Sequence, residues 1–213
     1  MKKLITIAII VLAISCLTQA SEIVKYEFGT YSQPTLAPSS PADHITASYF
    51  SYYGDGDTDY TDHGSGMNPE QAYQVVGGWL HDDYLNYFSF TITIESGWSL
   101  DLANGSVKFD ADPSTMTGPY QAKVTYLGDP ETIIGSEFEI ATSGWWTFGA
   151  YQNPPPTGLT GTVDFRIYAR DATDGGILAI DNVILNGTTA QIPEPTTICL
   201  LVMGSLALIR KKR

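Results

Sequence analysis

The sequence predicts an all-β protein, an antiparallel β-sandwich of the jelly-roll type with about ten strands, between two hydrophobic terminal segments. Three observations carry this. Tyr, Trp, Gly, Thr and Ser are plentiful while Leu, Lys and Glu are modest, the usage of pleated, half-buried surfaces. Phe88, Phe90, Ile92 and Ile94 alternate with Tyr87, Ser89, Thr91, Thr93 and Glu95, so one side of this stretch is core and the other solvent. Beyond Gly97, turn chemistry returns every ten residues or so, and no apolar stripe of helical period appears before the tail.

Taken in order, residues 1–20 read as a signal peptide, with Lys2-Lys3, an apolar run from Leu4 to Leu17, and the small residues Thr18 and Ala20 before a cut ahead of Ser21. Cys16 raises a lipoprotein alternative, although Ala13 stands where a lipobox has Leu. Residues 21–190 form the β-sandwich. Glu22 to Phe28 is a strand ended by Gly29, and Gln33 to Pro41, with three prolines, is a loop or covering edge segment. Ile45 to Tyr53 is β-prone, Gly54 to Gly64 is an acidic loop, and Tyr73 to Trp79 is a further strand. After Tyr87 to Glu95 come strands at Trp98 to Leu102, Gly105 to Ala111, Tyr120 to Leu127, Gly135 to Ala141, Trp145 to Ala150, Gly161 to Ala169 and Ile177 to Leu185. Asn104-Gly105, Asp112-Pro113, Thr117-Gly118-Pro119, Gly128-Asp129-Pro130, Pro154-Pro155-Pro156 and Asp174-Gly175-Gly176 are the turns between them.

Residues 191–213 follow another logic. Pro193 and Pro195 flank Glu194 and keep any helix from running through. The 14 uncharged residues Thr196 to Ile209 then make a helix of roughly 21 Å, short of the ~30 Å hydrocarbon core but workable as a transmembrane helix with bilayer thinning. Arg210, Lys211, Lys212 and Arg213 mark its cytoplasmic end.

Charge and cysteine usage narrow the function. The whole chain carries −12, but six of its 11 basic residues sit in the two terminal segments; residues 21–191 hold five basic residues against 22 acidic ones. Nucleic acid is excluded as a partner, since its binding needs basic patches. Acidity suits solubility outside the cell and suits calcium. Cys16 and Cys199 both lie in the end segments, so the exported domain has no disulfide and no cysteine-ligated metal.

No catalytic signature emerges, and the protein is read as a non-enzyme. His44, His63 and His81 have no metal-ligand spacing, and no nucleophile elbow, phosphate loop or dinucleotide fingerprint stands in a strand-to-helix context. Carbohydrate binding has more support: Trp145, Trp146, Tyr151 and Trp98 supply stacking faces, and loops rich in Asp and Asn supply hydroxyl partners. Adjacent Trp145 and Trp146 point to opposite faces of a strand, so the exposed one carries any ligand. Asp55, Asp57, Asp59 and Asp62 form an acidic array for weak calcium binding. It departs from an EF-hand loop, with Tyr60 in the place of its Gly and Gly66 in the place of its Glu, and a solvated acidic loop is the plainer reading.

The tail, with Pro193-Glu194-Pro195, an apolar helix and a basic end, resembles the PEP-CTERM sorting signal of exported bacterial proteins. The resemblance implies processing by an exosortase-type membrane enzyme, passage through the inner membrane, and delivery to the cell surface or the extracellular polysaccharide matrix. The order Tyr87 to Ile92, Gly97 to Leu100, Gly118 to Tyr120, Val163 to Tyr168 and Ile180 to Val183 followed by Gly187 is similar to the jelly-roll ectodomain upstream of such tails, over about half of the exported segment. Its ending also resembles the last strand of galactose-binding-like carbohydrate-binding modules. That second resemblance implies a structural calcium shared by Glu27 and Asp181; an Asp bonding main-chain N–H groups is the alternative for Asp181. A structural or adhesive envelope protein is the leading expectation, and a sugar-binding module is the alternative.

Overall fold

A computed structural model of the 213-residue chain describes residues 20–30, 33–62, 71–79, 85–113, 118–126, 132–140, 144–149, 156–173 and 176–193. Residues 1–19, in the expected signal peptide, and residues 194–213, with Glu194, Pro195 and the expected sorting helix and basic end, lie outside the described residues; Pro193 is exposed just past the last strand. Among the described residues no helix is long and apolar enough to cross a membrane.

The described residues form fourteen strands: β1 (Ser21–Tyr26), β2 (Gly29–Thr30), β3 (Gln33–Pro34), β4 (Ile45–Ala47), β5 (Ser51–Tyr53), β6 (Asp57–Asp62), β7 (Gln71–Val76), β8 (Tyr87–Ile94), β9 (Trp98–Pro113), β10 (Gln121–Tyr126), β11 (Thr132–Glu139), β12 (Gly144–Gly149), β13 (Thr162–Arg170) and β14 (Ile177–Gln191). One antiparallel sheet runs β12-β9-β14-β7-β6. β1 joins it by pairing with residues 183–187 of β14, while β7 takes residues 177–180, so two strands share one edge of β14. The other sheet runs β11-β10-β13-β8-β4, and β5 continues beyond β4 along β8.

The inner faces of the two sheets close on one core. β8 alternates as its sequence predicts, with Phe88, Phe90, Ile92 and Ile94 buried. β13 answers with Val163, Phe165 and Ile167, and Phe165 stacks on Phe90 with ring centroids 5.2 Å apart. From the facing sheet come Tyr26, Tyr73, Phe109 and Leu185, all buried. Phe50 is the hub, with rings of Phe28, Tyr26, Phe88, Phe90 and Tyr73 at 5.1 to 6.3 Å.

Four expectations are corrected. Ile45 to Tyr53 is two strands, because Ser48 interrupts it: its N–H donates to the Thr91 carbonyl at 2.8 Å, but its hydroxyl, not its carbonyl, accepts from Thr91 N at 2.9 Å. That exchange sets both Ser48 and Tyr49 outward, while Ile45 and Phe50 remain buried. The acidic loop is partly strand, since Asp57 to Asp62 pair with β7 and form the edge of the sheet. Asn104-Gly105 is not a turn: β9 runs through it, and residues 102–105 bulge opposite Gly187 of β14. A Cβ at Gly105 would lie 2.3 Å from the Asn186 carbonyl oxygen, so glycine serves close strand approach there. Finally β14 continues to Gln191, six residues past the expected Leu185, because the first part of β9 gives it a partner to the end.

Candidate functional site

Residues that the alternation of β8 and β13 turns away from the core cover the outer face of the second sheet. Register then lines two of them, Tyr87 and Tyr168, up with Tyr53 of β5 and Lys123 of β10. Tyr53 stands opposite Tyr87, Tyr87 opposite Tyr168, and Tyr168 opposite Lys123, one cross-strand row over β5, β8, β13 and β10. Tyr53 and Tyr87 stack at 5.1 Å and 22°, and Tyr87 and Tyr168 meet at 5.0 Å and 51°. The Arg166 guanidinium lies 4.4 Å from the Tyr87 centroid, and Lys123 Nζ 4.8 Å from that of Tyr168. Arg166 also donates to Asp164 Oδ2 at 3.0 Å and to the Tyr168 hydroxyl at 3.2 Å. Burial opposes its charge, but these hydrogen bonds outweigh it and hold the guanidinium above its ordinary pKa.

The row opens toward Tyr53. Tyr168 is 4% exposed and Tyr53 64%. At the open end is a concavity of about 540 Å³ lined by Tyr52, Tyr53, Gly54, Asp55, Leu85 and Asn86. Asn86 is 4% exposed, and its side chain makes no hydrogen bond among the described residues. A buried amide left so is costly unless something that enters the concavity completes it. Gly54 keeps that amide accessible, because a Cβ there would sit 2.2 Å from Asn86 Oδ1 and 2.3 Å from the Tyr52 hydroxyl. Tyr52 is braced beneath, its ring edge-on to Trp79 and its hydroxyl accepting from Gly56 N at 3.2 Å. An exposed ring, an apolar Leu85 rim, a buried amide and the Asp55 carboxylate suit a ligand that is apolar on one face and hydroxylated at its edge.

A second concavity, about 350 Å³, opens beside β4 and the far end of β8, lined by His44, Ile45, Thr46, Thr93 and Glu95. His44 Nδ1 pairs with Glu95 Oε2 at 2.7 Å, and its ring stacks on Trp98 at 3.6 Å and 10°. With φ of 66° His44 occupies the left-handed region.

The sequence-predicted candidates are placed as follows. Trp145 and Trp146 are described as backbone only, opposite Asp110 and Phe109 of β9, and Tyr151 lies outside the described residues. Asp57 and Asp59 are exposed on the edge strand β6, and Asp55 is on the rim of the first concavity. Glu27 pairs with Lys25, whose pKa it raises by accepting its hydrogen bond. Asp181 lies opposite Asp110 of the neighbouring strand; the two are 1% and 3% exposed. Asn182, at φ of 48°, bridges them, its side-chain amide donating to Asp181 Oδ2 at 3.1 Å and to Asp110 Oδ2 at 3.0 Å, while its main-chain N–H donates to Asp181 Oδ1 at 2.7 Å. Burial pushes the Asp110 carboxyl above its ordinary range, and the Asn182 bond partly restrains it. Among the described residues no group of three or more His, Cys, Asp or Glu side chains forms a cage for a metal ion. The sequence reading missed the Tyr53, Tyr87, Tyr168 row and Asn86. Its usable signal was the aromatic residue at Tyr87 and Tyr168 on the polar side of two otherwise regular alternations.

Comparison with known proteins yields no matching family and no matching curated sequence. The fold is similar to that of the N-terminal CBM22-1-CBM22-2 tandem domain of Paenibacillus barcinonensis Xyn10C, with a TM-score of 0.52 and 11% identity over 84% of this chain. The match spans 49% of that structure, so the chain corresponds to about half its length. Further matches are CBM27-1 of Caldicellulosiruptor saccharolyticus in complex with mannohexaose (TM-score 0.39, 15% identity, 60% of this chain and 81% of that one). The family 11 carbohydrate-binding module of Clostridium thermocellum also matches (TM-score 0.36, 13% identity, 78% and 96%). At 11% identity the likeness to the CBM22 tandem domain is one of fold.

Proposed function

We propose that this chain is an exported glycan-binding protein whose β-sandwich holds a sugar ring against Tyr53. One observation carries the reading: the exposed Tyr53 ring stands beside the buried Asn86 amide, which lacks a hydrogen bond among the described residues. The ring offers its face to the C–H side of a pyranose, and Asn86 and Asp55 take its hydroxyls. A fold shared with a tandem CBM22 domain supports the same reading over a purely structural or adhesive role. The test is a glycan array on the full-length chain and on Tyr53→Ala. Reproducible binding that falls roughly tenfold or more in the variant supports the site; binding that Tyr53→Ala leaves intact moves it elsewhere, with Trp145 and Trp146 next.

Two further parts belong to this proposal. Sorting through Pro193-Glu194-Pro195 by an exosortase-type enzyme would deliver the domain to the cell surface or matrix; alanines at those three positions should leave the full-length form in the inner membrane, and normal release of that variant would sink the idea. A structural calcium would be held by Asp181 with Asp110, the two carboxylates buried together, and would neutralise their charge.

A further inference from the structure

The two concavities lie at opposite ends of one strand pair. Tyr53 and Tyr87 mark one end, and Thr46 and Thr93, directly opposite each other, mark the other. From Tyr87 to Ile94 the strand spans roughly 23 Å at about 3.3 Å per residue. Between the ends the outward side chains are hydroxyls and one ring. Ser51 Oγ and Ser89 Oγ are 3.0 Å apart, Ser48 is exposed, and Tyr49 is 70% exposed. Neither 46–53 nor 87–93 contains a charged residue, in a chain that is 16% charged.

The far end is held rigidly. Trp98 fixes the His44 ring by stacking, and Glu95 takes Nδ1, so Nε2 and the second Glu95 oxygen have no partner among the described residues. An imidazole nitrogen, a carboxylate oxygen and the Thr46 and Thr93 hydroxyls therefore converge on a concavity with no exposed ring to stack against. Such a set suits the hydroxyls of a sugar that another site already holds in place.

We infer that the His44–Glu95 concavity is a distal subsite for the same glycan, so that a neutral linear chain of several sugar units lies along the edge of the second sheet from Tyr53, past Tyr49, to Thr46 and Thr93. This rests on the reading of Tyr53 given above. The chain is neutral because the cation beside the track, Arg166 over Tyr87, is already paired with Asp164, whereas Asp55 at one end and Glu95 at the other repel a uronate. Free energy accumulates over subsites that one rigid face holds in line.

The experiment is calorimetric titration of the full-length chain with linear neutral oligosaccharides of two to six units, taken from whichever cello-, xylo-, manno-, galacto- or β-1,3-gluco- series binds on the array. Affinity should climb with length. Glu95→Gln and, separately, Thr93→Val should each weaken the longest ligand by roughly tenfold and leave the disaccharide unchanged. Thr93→Val keeps the His44–Glu95 pair, so its result stands even if Glu95→Gln lowers the melting temperature. Tyr53→Ala should weaken every length alike. An affinity already constant at the disaccharide, or short and long ligands weakened equally by both variants, overturns the distal subsite and leaves the Tyr53 site standing. No binding in any series overturns both. A uronate oligomer that binds more tightly than a neutral one of equal length refutes the neutral track.

Discussion

Phe50→Ala tests how the edge that carries Tyr49 and Tyr53 is held. Phe50 is 1% exposed and lies between the two outward residues Tyr49 and Ser51, so it is what anchors this segment to the core. Its ring meets five others, those of Phe28, Tyr26, Phe88, Phe90 and Tyr73, at centroid distances of 5.1, 5.3, 5.7, 6.2 and 6.3 Å. Truncating a buried Phe costs about 3–5 kcal/mol through lost transfer and the cavity left behind. Aromatic pairs add about 0.5–1.5 kcal/mol each before relaxation, so the upper part of that range, about 4–5 kcal/mol, is expected. For a domain of this size each kcal/mol lowers the melting temperature by about 2–4 °C, hence a fall of roughly 8–20 °C. Urea unfolding followed by tryptophan fluorescence would measure it, because Trp79 is 1% exposed and packs on Tyr52 and Phe88 next to this segment. Glycan affinity measured below the transition should fall as well, since Tyr49 and Tyr53 lose their anchor. A loss under about 1.5 kcal/mol, half the least expected for a buried Phe, would mean that residues 48–53 are held by main-chain pairing with β8 alone, and the argument from the aromatic hub would be wrong.

Gly54→Ala should cut glycan affinity at least as much as stability, because its methyl would stand 2.2 Å from Asn86 Oδ1 and 2.3 Å from the Tyr52 hydroxyl; unchanged binding would place the ligand elsewhere. Asp110 should make the protein less stable as pH rises. Its folded-state pKa is raised, chiefly by burial, so the native state binds the proton more tightly and stability declines from the ordinary value of 3.8 up through the raised one, then levels. Asp110→Asn should remove that decline and be the more stable protein at neutral pH, seen by comparing melting temperature against pH for both; parallel curves would refute it. Calcium should offset the cost of burying these carboxylates: at about a hundredfold excess over its dissociation constant it would add roughly 2.7 kcal/mol, a gain that a chelator reverses and Asp181→Ala abolishes. Equal melting temperatures in chelator and in millimolar calcium would show that Asp181 serves only the Asn182 hydrogen bonds.

Local alternation settles what each strand puts inside. The run from Tyr87 to Ile94 has period two, and burial follows it residue by residue; Val163 to Ile167 does the same. The sequence also sets the acidity of the sandwich and the contrast between it and the two apolar ends, since these are properties of composition. Which outward residues meet depends instead on how the strands pair. Period two assigns a face but not a register, and register is fixed by pairing between segments far apart in the chain. Tyr53, Tyr87, Tyr168 and Lys123 became a row because β5, β8, β13 and β10 align there. For the same reason Asn104-Gly105, with the local chemistry of a turn, became a bulge once β14 lay beside it. Asp181 likewise came to lie opposite Asp110 across that ladder, whereas the Glu27–Lys25 pair joins residues two apart on one strand end and needs no long-range pairing.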